Sequence, residues 1–292
     1  VGRVTLVDRE SGAVTAVDGT PEVYASGQGG MLDSTLHPEY PAKPWVYLTY
    51  SGANDSGESA THLGRGRLNV GDARFETFER LHVAEPFVDS DGHFGSRVVF
   101  GPDGLVYVSV GDRQFKDFGP DHVAQDTTNE LGTTLRLTRT GEVPDSNPFL
   151  DDPDAVDTIF SYGHRNAQGM TVHPETGAIW QAEFGEQDGD EINVLEAGAN
   201  YGWPVADEGC TYGEGEPIGV SHADRDDVVA PVYSWPCGSG GFPPSGATFY
   251  TGDAFPDWQG DLFVGGLASQ YLARFTVDGQ SVEEASQLLE GR

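Results

Sequence analysis

The sequence predicts an all-β protein, one propeller-type domain over residues 1–292, on three observations. Forty glycines and eighteen prolines are scattered rather than clustered, which describes many short elements joined by tight turns. A Pro-centred turn followed by an apolar, aromatic-rich strand recurs four times. No long helical pattern separates these units, and radial repetition of hairpins protects strand edges. A propeller therefore fits better than an α/β fold, with a β-sandwich as the rival.

The recurring units are "HPEYPAKPWVYLTYS" (37–51), "GPDGLVYVSVGD" (101–112), "HPETGAIWQAEFG" (173–185) and "FPDWQGDLFVGG" (255–266). In each the turn residues come first, and the Val, Tyr, Trp and Phe that favour a pleated surface follow. The clearest hairpin is "SRVVFGPDGLVYVSVGD", two β-rich runs around Pro102, Asp103 and Gly104. The turn prolines at 38, 102, 174 and 256 are spaced more widely than a compact blade repeat of about 40–50 residues, so further strands or insertions lie between them. "DHVAQDTTNELGTTL" (121–135) has weak helical character and reads as a loop with a turn of helix.

The composition, 37% hydrophobic and 11% aromatic over 292 residues, is ample for a buried core. No stretch approaches the roughly 18 consecutive apolar residues of a membrane span. With 47 acidic against 16 basic residues, and Lys43 and Lys116 the only lysines, the formal net charge is −31. Nucleic acid and anionic membranes should be repelled. A strongly hydrated acidic surface accounts for this balance, and a lysine-poor acidic surface also resembles that of halophilic proteins. Cys210 and Cys237, the only cysteines, exclude a CxxC redox site and a cysteine zinc cluster. One bridge and two free thiols both remain open.

The chain has no G-x-S-x-G elbow, H-E-x-x-H zinc helix, Walker loop or G-x-G-x-x-G helix start. His93, in "SDGHFGSRVVF", occupies a glycine-flanked turn before a strand. It reads either as an inert loop histidine or as a general base. Arg165 and Asn166 sit in a comparable turn and offer a cationic fork beside an amide, suited to a planar, oxygen-rich anion or to a loop-bracing network. Glu186, Asp188, Asp190 and Glu191, in "FGEQDGDEINVL", make an oxygen-rich turn of a calcium-binding type without EF-hand spacing, although so acidic a composition also produces such clusters. Gln28, in "SGQGGML", has glycines on both sides, which serve close approach to a ligand or a plain turn.

Taken together, "GQGGMLDSTLHPEY", "HFGSRVVFGPDGLVYVSVGDR", "SYGHRNAQGMTVHPETGAIWQAEFG", "DEINVLEAGANYGWP" and "PSGATFYTGDAFPDWQGDLFVGGL" resemble, in order and nearly end to end, the glucose/sorbosone dehydrogenase family, and particularly its aldose sugar dehydrogenase branch. The resemblance implies a six-bladed propeller, a calcium ion, and pyrroloquinoline quinone (PQQ) over the channel mouth. It implies an aldose oxidised at C1 to a lactone, electrons leaving to an external acceptor, and a periplasmic or extracellular location. His93 matches the general base that takes the C1 hydroxyl proton as hydride passes to the quinone. Arg165 matches the group that stabilises charge on the reduced cofactor. Asn166 and Gln28 match cofactor contacts, and Gly185 and Glu186 the pair whose backbone carbonyls bind calcium. Trp235 matches an aromatic wall of the sugar pocket, with Asp112 near it.

The departures from the family pattern are specific. Gly92 replaces an aspartate before His93, Glu186 stands where proline is frequent, and Ala268 or Ser269 falls where a lysine meets the quinone. The chain closes at "LLEGR" ahead of the family's R-x-R-D-V segment, so an incomplete last blade and two missing arginine contacts are expected. Each charge-assisted contact is about 1.5–3 kcal/mol. Two other readings follow: a cofactor-free propeller that binds carbohydrate or protein, and a calcium-dependent lactone hydrolase, which would need carboxylates around a central metal.

Overall fold

The computed structural model describes residues 2–291. It is all-β, with three single-turn 3-10 helices as its only helical elements among those residues. Four antiparallel four-stranded sheets follow one another along the chain, each a meander. Sheet I comprises Met31–Leu36, Trp45–Ala53, Ser59–Asn69 and Arg74–Val83. Sheet II comprises Val98–Phe100, Val106–Val110, Thr133–Leu137 and Ile159–Tyr162. Sheet III comprises Ala167–Val172, Ile179–Glu183, Asp190–Val194 and Tyr233–Trp235, and sheet IV Pro244–Phe249, Leu262–Gly266, Leu272–Asp278 and Ser281–Leu288.

The remaining strands form two-stranded pairs, Thr5–Val7 with Val14–Ala16 and Ala206–Cys210 with Pro217–Gly219. The expected hairpins are therefore present, and four four-stranded sheets are complete among the described residues. Sheet IV, the last among the described residues, carries all four strands. The segment read as a loop with a helical turn holds one 3-10 turn, Val123–Gln125, but its end enters a strand. Thr133 and Thr134 are β-branched and pair with Val110 and Ser109, and this long-range ladder outweighs the weak local helical pattern.

The first strands of consecutive sheets lie against one another, from sheet I through II and III to IV. Gly169 permits the closest of these approaches, because a Cβ there would come 3.2 Å from the Ala247 backbone nitrogen. Arg97 ties the layers together. Its guanidinium donates to the carbonyls of Gln168 and Ser245 and lies 3.4 Å from Asp33 Oδ1. Between sheets the core is aromatic: Trp180, Trp235, Phe242, Phe249 and Phe275 pack between sheets III and IV, and Tyr47, Val98, Val106 and Leu137 between I and II. The turns leading into the first strands of sheets II and III carry His93 and Arg165. The packing of those strands brings the two turns together.

Candidate active site

A cleft of about 820 Å³ is lined by Gln28, His93, Gln114, Lys116, Arg165, the turn 184–188 with Asp190, and the glycine-rich loop 238–241. His93 is held in the left-handed region at φ 48°. Its backbone N–H donates to Gln28 Oε1 at 2.8 Å. Its Nδ1 is 2.6 Å from Asp112 Oδ1. Asp112 is buried and also accepts the Gln114 N–H at 2.9 Å and the Trp203 indole N–H at 2.9 Å.

This network fixes the histidine's protonation. Burial lowers the His93 pKa; hydrogen bonding and charge from Asp112 act against this, while Arg165 and Lys116 add to the lowering. Burial pushes the Asp112 carboxyl up, but the His93 hydrogen bond and charge, with Arg165 beyond, bring it below the usual carboxylate range. At neutral pH an uncharged His93 donates Nδ1–H to an ionised Asp112. The Nε2 lone pair is then the free one.

The three consecutive polar residues 164–166 do three different jobs. His164 is structural: it stacks on Tyr201 at 4.7 Å and is hydrogen-bonded by Glu183 Oε1 and Ser161 Oγ, both at 2.9 Å. The buried Glu183 also accepts the Arg165 backbone N–H at 2.7 Å and so fixes the turn from behind. Arg165 sends its guanidinium to the cleft, 5.1 Å from the Trp203 ring, donating to Glu186 Oε2 and, at 3.3 Å, to the Phe184 carbonyl. Asn166 Oδ1 accepts the Gly95 N–H at 3.0 Å and links this turn to the His93 turn. Arg165 Nε and Asn166 Nδ2 are buried donors without a partner among the described residues.

Gly185 and Glu186 line the cleft as expected of neighbours to a bound group, and neither carbonyl oxygen accepts a hydrogen bond among the described residues. Gly185 has no room for a side chain, since a Cβ would meet the Asp188 carbonyl oxygen at 1.9 Å. The acidic turn, by contrast, does not converge its side chains. Asp188 Oδ2 accepts from Gly238 N at 2.7 Å, Asp190 accepts from Gly185 N and Phe242 N at 3.1 and 2.7 Å, and Glu186 pairs with the cations. No group of three or more His, Cys, Asp or Glu is arranged to hold a metal among the described residues. Asp188 and Asp190 brace the surrounding backbone and Glu186 is held by cations, so these side chains do not converge on one point. The two carbonyls stay available.

Trp235 does not line the cleft. Its indole is buried, stacked on Phe242 at 4.7 Å, and its carbonyl accepts the Gly189 N–H at 2.6 Å, so it supports the 185–190 turn from behind. Asp112 likewise lies behind His93 and not at the surface of the cleft. Sequence reasoning missed Lys116, Gln114 and Trp203. Lys116 carried a signal, as one of two lysines in a strongly acidic chain. Gln114 fills the space beside Gly92, where a Cβ would lie 2.4 Å from its Cδ. Cys210 and Cys237 form a disulfide of 2.10 Å, which settles the open alternative and clamps the loop 236–241 to the strand at 206–210.

The family model described as Glucose / Sorbosone dehydrogenase matches residues 1–292. The aldose sugar dehydrogenase YliI of Escherichia coli (strain K12) is 36% identical over 285 residues, which cover 96% of this chain and 74% of that one. A crystal structure of a glucose dehydrogenase superposes with a TM-score of 0.91 at 35% identity, covering 100% of this chain and 82% of the other. The PQQ-bound form of an aldose sugar dehydrogenase from Streptomyces coelicolor gives 0.79 at 28% identity, covering 99% and 76%.

Proposed function

The chain belongs to the glucose/sorbosone dehydrogenase family of sugar oxidoreductases, and from that membership we propose that it oxidises aldoses at C1 to lactones using PQQ and calcium held in the cleft. The observation that carries this reading is His93, its Nδ1 held by the buried Asp112 at the wall of a cleft that also presents Arg165.

His93 Nε2 takes the proton of the C1 hydroxyl, which drives electron density onto C1 and weakens its C–H bond. Asp112 keeps the Nδ1 proton in place, so the accepting nitrogen faces the substrate. It also stabilises the imidazolium that forms, a positioning role in place of the substrate contact expected from sequence. PQQ, when bound, supplies the two-electron acceptor for the sugar's hydride. The donors that line the cleft, the Gln28 amide and the Arg165 fork, suit a planar, acceptor-rich anion, and Arg165 Nε and Asn166 Nδ2 are buried without a partner among the described residues. The Gly185 and Glu186 carbonyls are oxygen ligands of the kind calcium takes.

The electrons leave to an external acceptor. The disulfide supports an oxidising compartment, periplasmic or extracellular. No helix among the described residues is long and apolar enough to cross a membrane. The deciding experiment titrates the purified chain with PQQ and calcium, then adds glucose and follows the cofactor's absorbance. Binding with sugar-dependent bleaching is expected. A cofactor-free sugar- or protein-binding module would show no PQQ binding.

A further inference from the structure

Among the described residues two cations line the cleft, Lys116 and Arg165, and both are occupied by one side chain. The Glu186 carboxylate accepts from Lys116 Nζ at 2.5 and 2.6 Å and from the Arg165 guanidinium. It is well enclosed: the side chains of Glu186 and Arg165 are 6% and 7% exposed, against 54% for Lys116. The other carboxylates of the cleft are directed to backbone amides, Asp188 to Gly238 and Asp190 to Gly185 and Phe242.

We propose that Glu186 is an internal competitor for the cleft's anion site: its carboxylate holds the Arg165–Lys116 pair in the empty protein and swings out when an anionic group of the ligand takes its place. A carboxylate on an Arg–Lys pair has the charge and donor geometry of the contact that a carboxylated ligand would make. Both anions cannot use the same donors. Ligand affinity is therefore reduced by the free energy of breaking the internal pair, which a neutral side chain would not charge against binding. The backbone carbonyl of the same residue accepts no hydrogen bond among the described residues. Glu186→Gln keeps that oxygen and the side-chain volume and removes only the competing charge.

The inference rests on the PQQ reading for the identity of the natural ligand, not for the competition itself. Calorimetric titrations would use two probes, PQQ with calcium and benzene-1,3,5-tricarboxylate without it. They would be run on the wild type, Glu186→Gln, Glu186→Ala, Lys116→Met and the Glu186→Gln/Lys116→Met double variant, each checked for an intact melting transition. Both Glu186 variants should bind both probes about tenfold or more tightly than wild type, the change expected when one charged competitor is removed. Lys116→Met should weaken binding more in the Glu186→Gln background than alone, because in the wild type the lysine is already paired.

Equal or weaker binding of the tricarboxylate by both Glu186 variants overturns the proposal, as does failure of both probes to bind any variant. If the tricarboxylate shows the gain and PQQ binds nothing, the competition stands and the quinone reading falls. If PQQ binds the wild type and the Glu186 variants bind it no better, the quinone reading stands and the competition falls.

Discussion

Asp112→Asn tests the core of the proposed chemistry, because it changes one atom and leaves every side chain that faces the cleft in place. The carboxylate has only donors as partners: the His93 Nδ1–H at 2.6 Å and Gln114 N–H at 2.9 Å on one oxygen, and the Trp203 indole N–H at 2.9 Å on the other. An amide has one acceptor end and one donor end. With its NH₂ toward His93 it opposes the Gln114 N–H and selects the tautomer protonated at Nε2, which cannot accept the sugar's proton. With its NH₂ toward Trp203 it opposes the indole.

Either orientation leaves a buried donor unsatisfied, at about 1–3 kcal/mol of stability. Loss of a correctly protonated general base lowers kcat about 10²–10⁴-fold, which is about 2.7–5.4 kcal/mol of barrier at about 1.36 kcal/mol per tenfold. Asp112 raises the pKa of His93 against the lowering by burial, so its neutralisation should also move the acid limb of kcat/KM to lower pH. The assay is dye-coupled glucose oxidation across pH, beside PQQ titration of the same preparation. Wild-type kcat, or a loss of kcat fully explained by lower PQQ occupancy, would refute the assignment of His93 as a base oriented by Asp112.

Four other outcomes follow from the structure. Arg97→Met should lower stability by about 2–4 kcal/mol, read from denaturant melts, because two inter-sheet carbonyls and Asp33 lose their cationic partner. Cys210→Ser with Cys237→Ser should lower it by about 3.5 kcal/mol by loop entropy across a sequence separation of 27, and should also weaken PQQ binding, since Gly238 in the clamped loop donates to Asp188 on the turn carrying Glu186. Burial, with Glu183 and Glu208 nearby, raises the Asp207 carboxyl to about 8, so its contribution to stability is present at acid pH and lost as pH rises from the usual carboxylate range through about 8. Asp207→Asn should flatten that decline and melt higher than wild type at pH 8 in chelator. Finally, with a formal net charge of −31, the melting temperature should climb steeply from low to molar KCl, and a flat response would show that repulsion within the acidic surface is unimportant.

What could be read from the sequence was what local chemistry determines. Pro- and Gly-marked turns followed by aromatic runs located strands in all four sheets, because a hairpin's turn and pleat are written in adjacent residues. Thr133–Leu137 was hidden because its partner strand, Val106–Val110, lies more than twenty residues away. In the site, His93, Arg165 and Asn166 were visible as polar residues in pre-strand turns. Lys116, Gln114 and Trp203 sit in irregular segments whose positions depend on tertiary packing. Trp235 shows the limit from the other side: a tryptophan next to a Gly-rich loop reads the same whether it walls a pocket or, as here, stacks beneath one on Phe242.

For so acidic a protein the proposed anionic cofactor poses an apparent conflict, and the placement of charge resolves most of it. Exposed carboxylates act over a screening distance of about 8 Å at physiological ionic strength, whereas Arg165 is 7% exposed and acts at close range where screening is weak. Of the carboxylates that line the cleft, Asp188 and Asp190 are turned to backbone amides, and Glu186 alone is turned to the cations. The opposition to an incoming anion is thereby concentrated in one side chain. Half of its pairing is with the well-exposed Lys116, the part that salt loosens first, while its contact with the buried Arg165 persists. High salt would therefore weaken the distant repulsion and the internal competitor together, leaving the Arg165 fork as the contact that a bound anion must win.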